Sequence, residues 1–377
     1  MIIICKNSDW NIKNHDNIIL NNDLVFSSCL EPLHIKNKIF DGNGKTIFLE
    51  NIDNFKGLFT LDCGEIKNLR VEVINSTLLE GCGWIVGNNC NGKVSFCISN
   101  GPISENSGGI CGGNFFGSVS YCYSFGVIDG NGGGIVGSGS INEKKLKIKY
   151  CYSSGNINGT SSGGIVGSTC GFNSKLVIDQ CFSLGNINGQ SSGGICGSYI
   201  SSYNGKTKIS NCYSVGNIVG DNSGGIIGSH SSYSEGLINI KNSYSSGIIL
   251  GKHCGSILGS NSALKNGIVN IDYCFGTGNL AELIGGTINI QTNISKINFD
   301  TNNYSEQIWN NISSYPKLII FENNPWEEYK KYNDLPTLII PTLPDESIKQ
   351  DWYGYLSYLN PRLIAVICLV TFFSVKE

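Results

Sequence analysis

The sequence predicts an all-β chain wound as a right-handed parallel β-helix, a solenoid of about nine coils with an N-terminal strand cap and an irregular C-terminal cap. Its first sign is an internal repeat. The segments CYSSGNINGTSSGGIVGS from Cys151, CFSLGNINGQSSGGICGS from Cys181 and CYSVGNIVGDNSGGIIGS from Cys212 are near-copies, and weaker copies start at Cys97, Cys122, Ser243 and Cys274. Successive starts lie 25, 29, 30, 31, 31 and 31 residues apart, a solenoid period with loops absorbing the differences. The second sign is alternation before each copy. Leu146, Ile148, Tyr150 and Tyr152 alternate with Lys145, Lys147 and Lys149, and Leu176, Ile178 and Phe182 with Lys175 and Asp179, the period of a strand with one buried face. The third is glycine placement, since only Gly354 of the 49 glycines lies beyond Gly286.

Six of the eight prolines lie beyond residue 315, so composition changes near residue 290. This divides the chain into a cap over 1–50, β-helix repeats over 51–290 and a C-terminal cap or tail over 291–377. In the first part IIIC, NIIL, DLVF and KTIFL read as short strands covering the exposed end of the first coil. The last apolar run, residues 363–375, has 13 residues, short of the roughly 18–20 a spanning helix needs. A membrane anchor there is not favoured over a packed or partner-binding tail.

Glycine is about 13% of the chain, and no Gly-X-Y period accompanies it, so collagen is excluded and disorder disfavoured. The formal charge is −3, with 15% charged residues. Without long basic runs the electrostatic footprint of non-specific nucleic-acid binding is missing. The opening MIIICKNSDW has no long apolar core of a secretory signal. A reducing compartment follows as the default, cytoplasmic or virion-associated, with thiols rather than disulfides and little meaning for the sequons at Asn75, Asn158, Asn293, Asn303 and Asn311.

Stacking of coils assigns roles to the repeated residues. The Gly-Gly pairs at 108–109, 133–134, 163–164, 193–194 and 224–225 are read as corners. Asn156, Asn186, Asn217 and Asn279 each follow a glycine, where left-handed backbone is tolerable and an asparagine ladder can bond along the axis. Cys111 and Cys196 alternate with Val136, Val166 and Ile227, acting as small hydrophobes. Tyr123, Tyr152, Phe182, Tyr213, Tyr244 and Phe275 share parity with the inward leucines and isoleucines and are expected inside. Their alternative role is a sugar-stacking stripe. For the series Cys97, Cys122, Cys151, Cys181, Cys212, Ser243 and Cys274 a structural thiol ladder is favoured over a metal or redox site. Coil spacing is too wide for comfortable disulfides, and no C-x-x-C pair exists. Parity places Cys151 on the lysine face whereas the Cys/Ser restriction argues for the interior, a conflict that a bend or bulge would resolve.

The segment IFDGNGKTI at residues 39–47, FKGLFTLDCGEIKNLRVEV at 55–73, the CYS-x-G-N-I-x-G and GGIVG repeats, and Pro325-Trp326 through Leu338 resemble the GLUG-repeat family of β-helical surface and adhesin-type proteins. The resemblance implies the β-helix and a surface setting, with no activity specified. The Asn/Ile/Lys-rich wording is similar to proteins of large DNA viruses.

Catalysis finds little footing. A glycan lyase or hydrolase on this scaffold needs paired carboxylates, or a carboxylate-bound cation with a base. Asp179 and Asp272 share one repeat position in non-adjacent coils, with Ser210 and Lys241 between them; Asp129 and Asp221 sit beside glycine in loops, and His230 and His253 are placed where neighbouring coils could face each other. None is named as catalytic, metal-binding or cofactor-binding, and no cofactor is expected. The reading is a non-enzymatic structural or interaction protein whose partners are glycans or other surface or virion proteins. A polysaccharide lyase or hydrolase and a membrane-tethered adhesin are the alternatives, and oligomeric state is left open.

Overall fold

In a computed structural model the alternating stretches form strands that hydrogen-bond to their counterparts one repeat away. The structure describes residues 2–10, 17–139, 143–281 and 287–290, with the backbone of Asn293–Ile294, Trp309–Asn310 and Lys317–Leu318. The chain divides into units 1–335 and 336–377, and everything described lies in the first. The closing element at residues 325–338, the apolar run 363–375 and most of the C-terminal cap therefore lie outside the described residues.

The fold is an all-β parallel solenoid. Ile2, Ile18, Phe40, Ile66, Val94, Val119, Ile148, Ile178, Ile209, Ile240, Ile271 and Ile290 are successive partners in parallel register. Nine turns thus separate Phe40 from Ile290. Strands Ile2–Ile4 and Ile18–Leu20 begin the same ladder, and Trp10 fills its first coils against Phe26, Phe40 and Phe59 at ring separations of 5.4, 6.1 and 5.6 Å.

One coil shows why the sequence winds this way. Strand Lys175–Asp179 points Leu176 and Ile178 inward, 1% and 0% exposed, and its other side chains outward. Each such buried aliphatic contributes about 1.5–3 kcal/mol. Gln180 then takes a left-handed conformation, φ 53°, which reverses parity so that Cys181 and Phe182 both enter the core. Phe96, Tyr121, Tyr150, Asn211, Asn242 and Tyr273 do the same at φ 47–56° in their own coils. This bend resolves the parity conflict at Cys151 in favour of burial.

The thiol ladder is interior. All fifteen described cysteines are free, twelve of them buried. Cys151 Sγ donates to Lys149 O at 3.2 Å and Cys212 Sγ to Ser210 O at 3.2 Å, while Ser243 Oγ donates to Lys241 O at 2.9 Å. A hydroxyl can therefore replace the thiol because both close the same two-residue turn. Burial pushes the Cys151 and Cys212 thiols well up, and those of Cys170 and Cys274 to about 12.

Beside it runs the aromatic ladder, with Tyr123–Tyr152, Tyr152–Phe182, Phe182–Tyr213 and Tyr213–Tyr244 centroids 4.4, 4.8, 4.8 and 5.1 Å apart. These rings are 0–7% exposed, so the sugar-stripe alternative fails for them. Beyond lies a second apolar column, Ile103, Ile128, Ile157, Ile187 and Ile218. The Cys/Val exchange also holds, because Val86, Cys111, Val136, Val166, Cys196 and Ile227 bridge in sequence.

The asparagine assignment needs correction. Asn156, Asn186 and Asn217 are not left-handed; Asn186 N donates to Asn156 Oδ1 and Asn217 N to Asn186 Oδ1, each at 3.0 Å. The axial ladder is present, but it joins side chain to backbone. Nor do the paired glycines carry positive φ, which falls instead on Asn131, Ser161, Ser191, Asn222 and His253. The first glycine of each pair is required both by its own corner and by the next coil: a Cβ on Gly163 would overlap Val166 O, three residues on, and lie 2.7 Å from the Cys196 carbonyl carbon, while one on Gly164 would lie 2.6 Å from Ser183 Cβ.

Candidate functional site

The outward faces, once the core ladders are set aside, hold the chemistry available to a partner. Along the main sheet three columns point outward. The column Lys149, Asp179, Ser210, Lys241, Asp272 is internally compensated. Lys149 Nζ lies 2.6 Å from Asp179 Oδ2, Lys241 Nζ 3.7 Å from Asp272 Oδ2, and Asp179 Oδ1 accepts from Ser210 Oγ at 2.8 Å and Asn211 Nδ2 at 2.9 Å. Partial burial works against the Asp179 charge, yet the bonds from Lys149, Asn211 and Ser210 outweigh it and hold this carboxyl below the ordinary range. The same opposition acts on Lys149, where burial is outweighed by Asp179 and the ammonium pKa is raised.

These acids are engaged rather than poised. Asp179 and Asp272 are three coils apart in register, roughly 14 Å at the spacing of adjacent strands. Paired glycosidase carboxylates lie at roughly 5–9.5 Å. Asp129 and Asp221 are exposed in separate turns, the latter accepting from Lys252 N at 2.8 Å. His230 and His253 fall on different ladders, since Tyr199 N bonds Ser229 O whereas Asn222 N bonds Lys252 O. No cluster of three metal-ligating side chains occurs among the described residues. A pocket between Phe116, Lys145 and Cys170 encloses about 20 Å³, enough for one water and far below the roughly 300–1,000 Å³ of small-molecule sites.

The surface carries aromatics that parity reasoning missed. In the turns leading into the main sheet, Tyr199 and Tyr203 are 42% and 48% exposed. Tyr199 stacks on His230 at 5.1 Å; Tyr203 packs between Phe172 at 4.7 Å and Tyr233 at 5.9 Å; Lys265 Nζ sits 4.9 Å from the Tyr233 centroid. Burial lowers the His230 pKa, so its ring is neutral at pH 7 and offers a stacking face. At the opposite edge of the sheet Phe96, Tyr121 and Tyr150 stack at 4.7 Å intervals, with Lys149 Nζ 5.7 Å from the Tyr150 ring. The sequence signal was present in both cases. One set lies in the repeat segment that varies in length, the other immediately before the ladder cysteines, on the bend residue.

The arrangement defines a class: a parallel β-solenoid with a closed, thiol- and aromatic-laddered core and an outer sheet bordered by stacked rings. No family model and no curated protein matches the chain. Among solved structures it is similar to a Bacteroides ovatus protein provisionally assigned as an immunoglobulin A1 protease. That likeness has 18% identity over 84% of this chain and 91% of that one, with a TM-score of 0.39, too low to carry an argument.

Proposed function

We propose that this solenoid is a non-enzymatic binding protein that holds glycans on its outer sheet, at a cell or virion surface. The observation that carries the reading is the ring platform of Tyr199, Tyr203 and Tyr233. Tyrosines left 42% and 48% exposed, Tyr199 stacked on His230 and Tyr203 tilted against Tyr233, present apolar faces and polar tips together, suited to the faces and hydroxyls of sugar rings. The tying of Asp179 to Lys149 supports binding without cleavage. Resemblance of the repeats to GLUG-repeat surface proteins supports the setting.

Depletion of the protein by insoluble polysaccharides, followed by assay of the supernatant for new reducing ends, tests this. Retention without cleavage is expected, with loss of retention in Tyr199→Ala/Tyr203→Ala. New chain ends would replace the binding reading with a hydrolase or lyase, and retention unchanged by the double substitution would remove the platform from the account.

A further inference from the structure

From the lysine columns between the two aromatic borders, we infer that the glycan is anionic, a polymer bearing carboxylates or sulfates along its length. This rests on the glycan reading and names its substrate class. Lys145, Lys175 and Lys206 are direct register partners in three adjacent coils, and Lys147 and Lys208 flank Val177 in the next column. All five lysines are exposed.

The neighbouring column shows how this fold handles charge when no partner is involved. There Asp179 is set against Lys149 and Asp272 against Lys241. The other two columns hold acids only at their start, where Asp62 and Glu65 are the register partners of Asn91 and Lys93; from Phe116 and Ser118 to Thr287 and Asn289 no acid occurs in them among the described residues. Like charges directly opposite on a sheet are unfavourable, and their repetition is a cost to the isolated fold that a bound polyanion would offset. The nearby acids, Glu143 and Glu235, lie in the turns leading into strands Lys145–Lys149 and Leu237–Lys241, at the margins of the basic area. The chain as a whole is acidic, with formal charge −3, so the positive charge is concentrated locally, where it raises the concentration and on-rate of an anion.

The number of charges favours a glycan over a nucleic acid. Stacked lysines repeat at about 4.8 Å, the strand separation, and five of them are fewer than the roughly 6–10 phosphate contacts from which a nucleic-acid binder draws its affinity. An acidic polysaccharide carries its charge once per sugar or per disaccharide, and its rings can lie on Tyr203 and Tyr150 at the borders. The spaced lysines and flanking rings fit that polymer.

The test uses the full chain with polygalacturonate, alginate and heparin as acidic probes, fully methyl-esterified pectin and dextran as neutral ones, and single-stranded DNA. Tighter binding of an acidic probe than of methyl-esterified pectin is expected, with salt weakening it. Lys145→Gln/Lys175→Gln/Lys206→Gln should weaken the acidic probe roughly tenfold, from three exposed charge contacts, while leaving the circular dichroism spectrum and neutral-probe binding unchanged. Equal binding of acidic and neutral probes, lost together in Tyr203→Ala, would overturn the anionic assignment and leave the glycan reading standing. Binding of no polysaccharide would overturn both, and tighter binding of DNA than of every acidic glycan would make the partner a nucleic acid.

Discussion

Replacing Gly185 by alanine isolates the reason this chain is rich in glycine. Gly185 is buried, and its φ is not left-handed. A Cβ there would lie 2.5 Å from Gly155 C and 2.9 Å from Asn156 Cα, and would overlap Gly155 O. All are backbone atoms of the preceding coil, so no side chain can move aside. Relief requires the coils to separate where Leu184 N–Ser153 O, Asn186 N–Asn156 Oδ1 and Asn188 N–Ile157 O hold them at 2.9, 3.0 and 2.8 Å. Weakening three such bonds at a net 0.5–1.5 kcal/mol each costs about 2–4 kcal/mol. Gly130→Ala is the control, because its Cβ would meet only Glu105 side-chain atoms, at 3.6–3.8 Å, and it should cost under about 0.5 kcal/mol. Urea unfolding followed by circular dichroism, with amide exchange of the flanking coils, reads both. Equal midpoints for the two variants would refute the close-approach explanation.

Further expectations follow from the same geometry. Tyr123→Phe should stabilise the protein by about 1 kcal/mol in urea, because the buried Tyr123 hydroxyl has no hydrogen-bond partner among the described residues and such groups are costly; a loss would mean the hydroxyl is satisfied. Thiol labelling of native protein, mapped by peptide mass, should modify Cys5, Cys29 and Cys63 first and spare Cys151, Cys181 and Cys212; rapid labelling of the latter three would contradict the ladder. The depressed Asp179 carboxyl contributes stability above the unfolded carboxylate pKa of about 3.9. That contribution fades as pH falls through the lower folded value, so Asp179→Asn should lose about 1–2 kcal/mol at pH 7 with a smaller penalty at pH 2–3. An undiminished difference at low pH would show that the charge is not responsible.

Much of the architecture was legible in the repeat. Period two set Ile148 and Ile178 inward, and parity carried Tyr152 and Phe182 with them. Exchange of Cys196 with Val166 and Ile227 marked a small apolar site. What local reading could not supply was the reason for a glycine whose obstacle lies in another coil. Gly185 looks like a turn glycine along the chain, yet its constraint comes from Gly155, thirty residues away. The turn conformations went to Ser161, Ser191 and Gln180, residues without an obvious preference for them. The outer rings escaped for a related reason. Tyr150 and Tyr121 follow strands whose alternation breaks at that residue, and Tyr203 and Phe172 sit in the least regular part of the repeat. The lysines were visible as a strand's polar side, but their columns exist only after register aligns Lys145 with Lys175 and Lys206.

The most direct measurement is a paired binding and cleavage assay on one acidic polysaccharide, with wild type and Tyr199→Ala/Tyr203→Ala in parallel. Saturable binding by the wild type is expected, with its loss in the variant while the fold is retained, and polymer of unchanged length in both. Polymer shortened by the wild type, or binding equal in the two proteins, would contradict it.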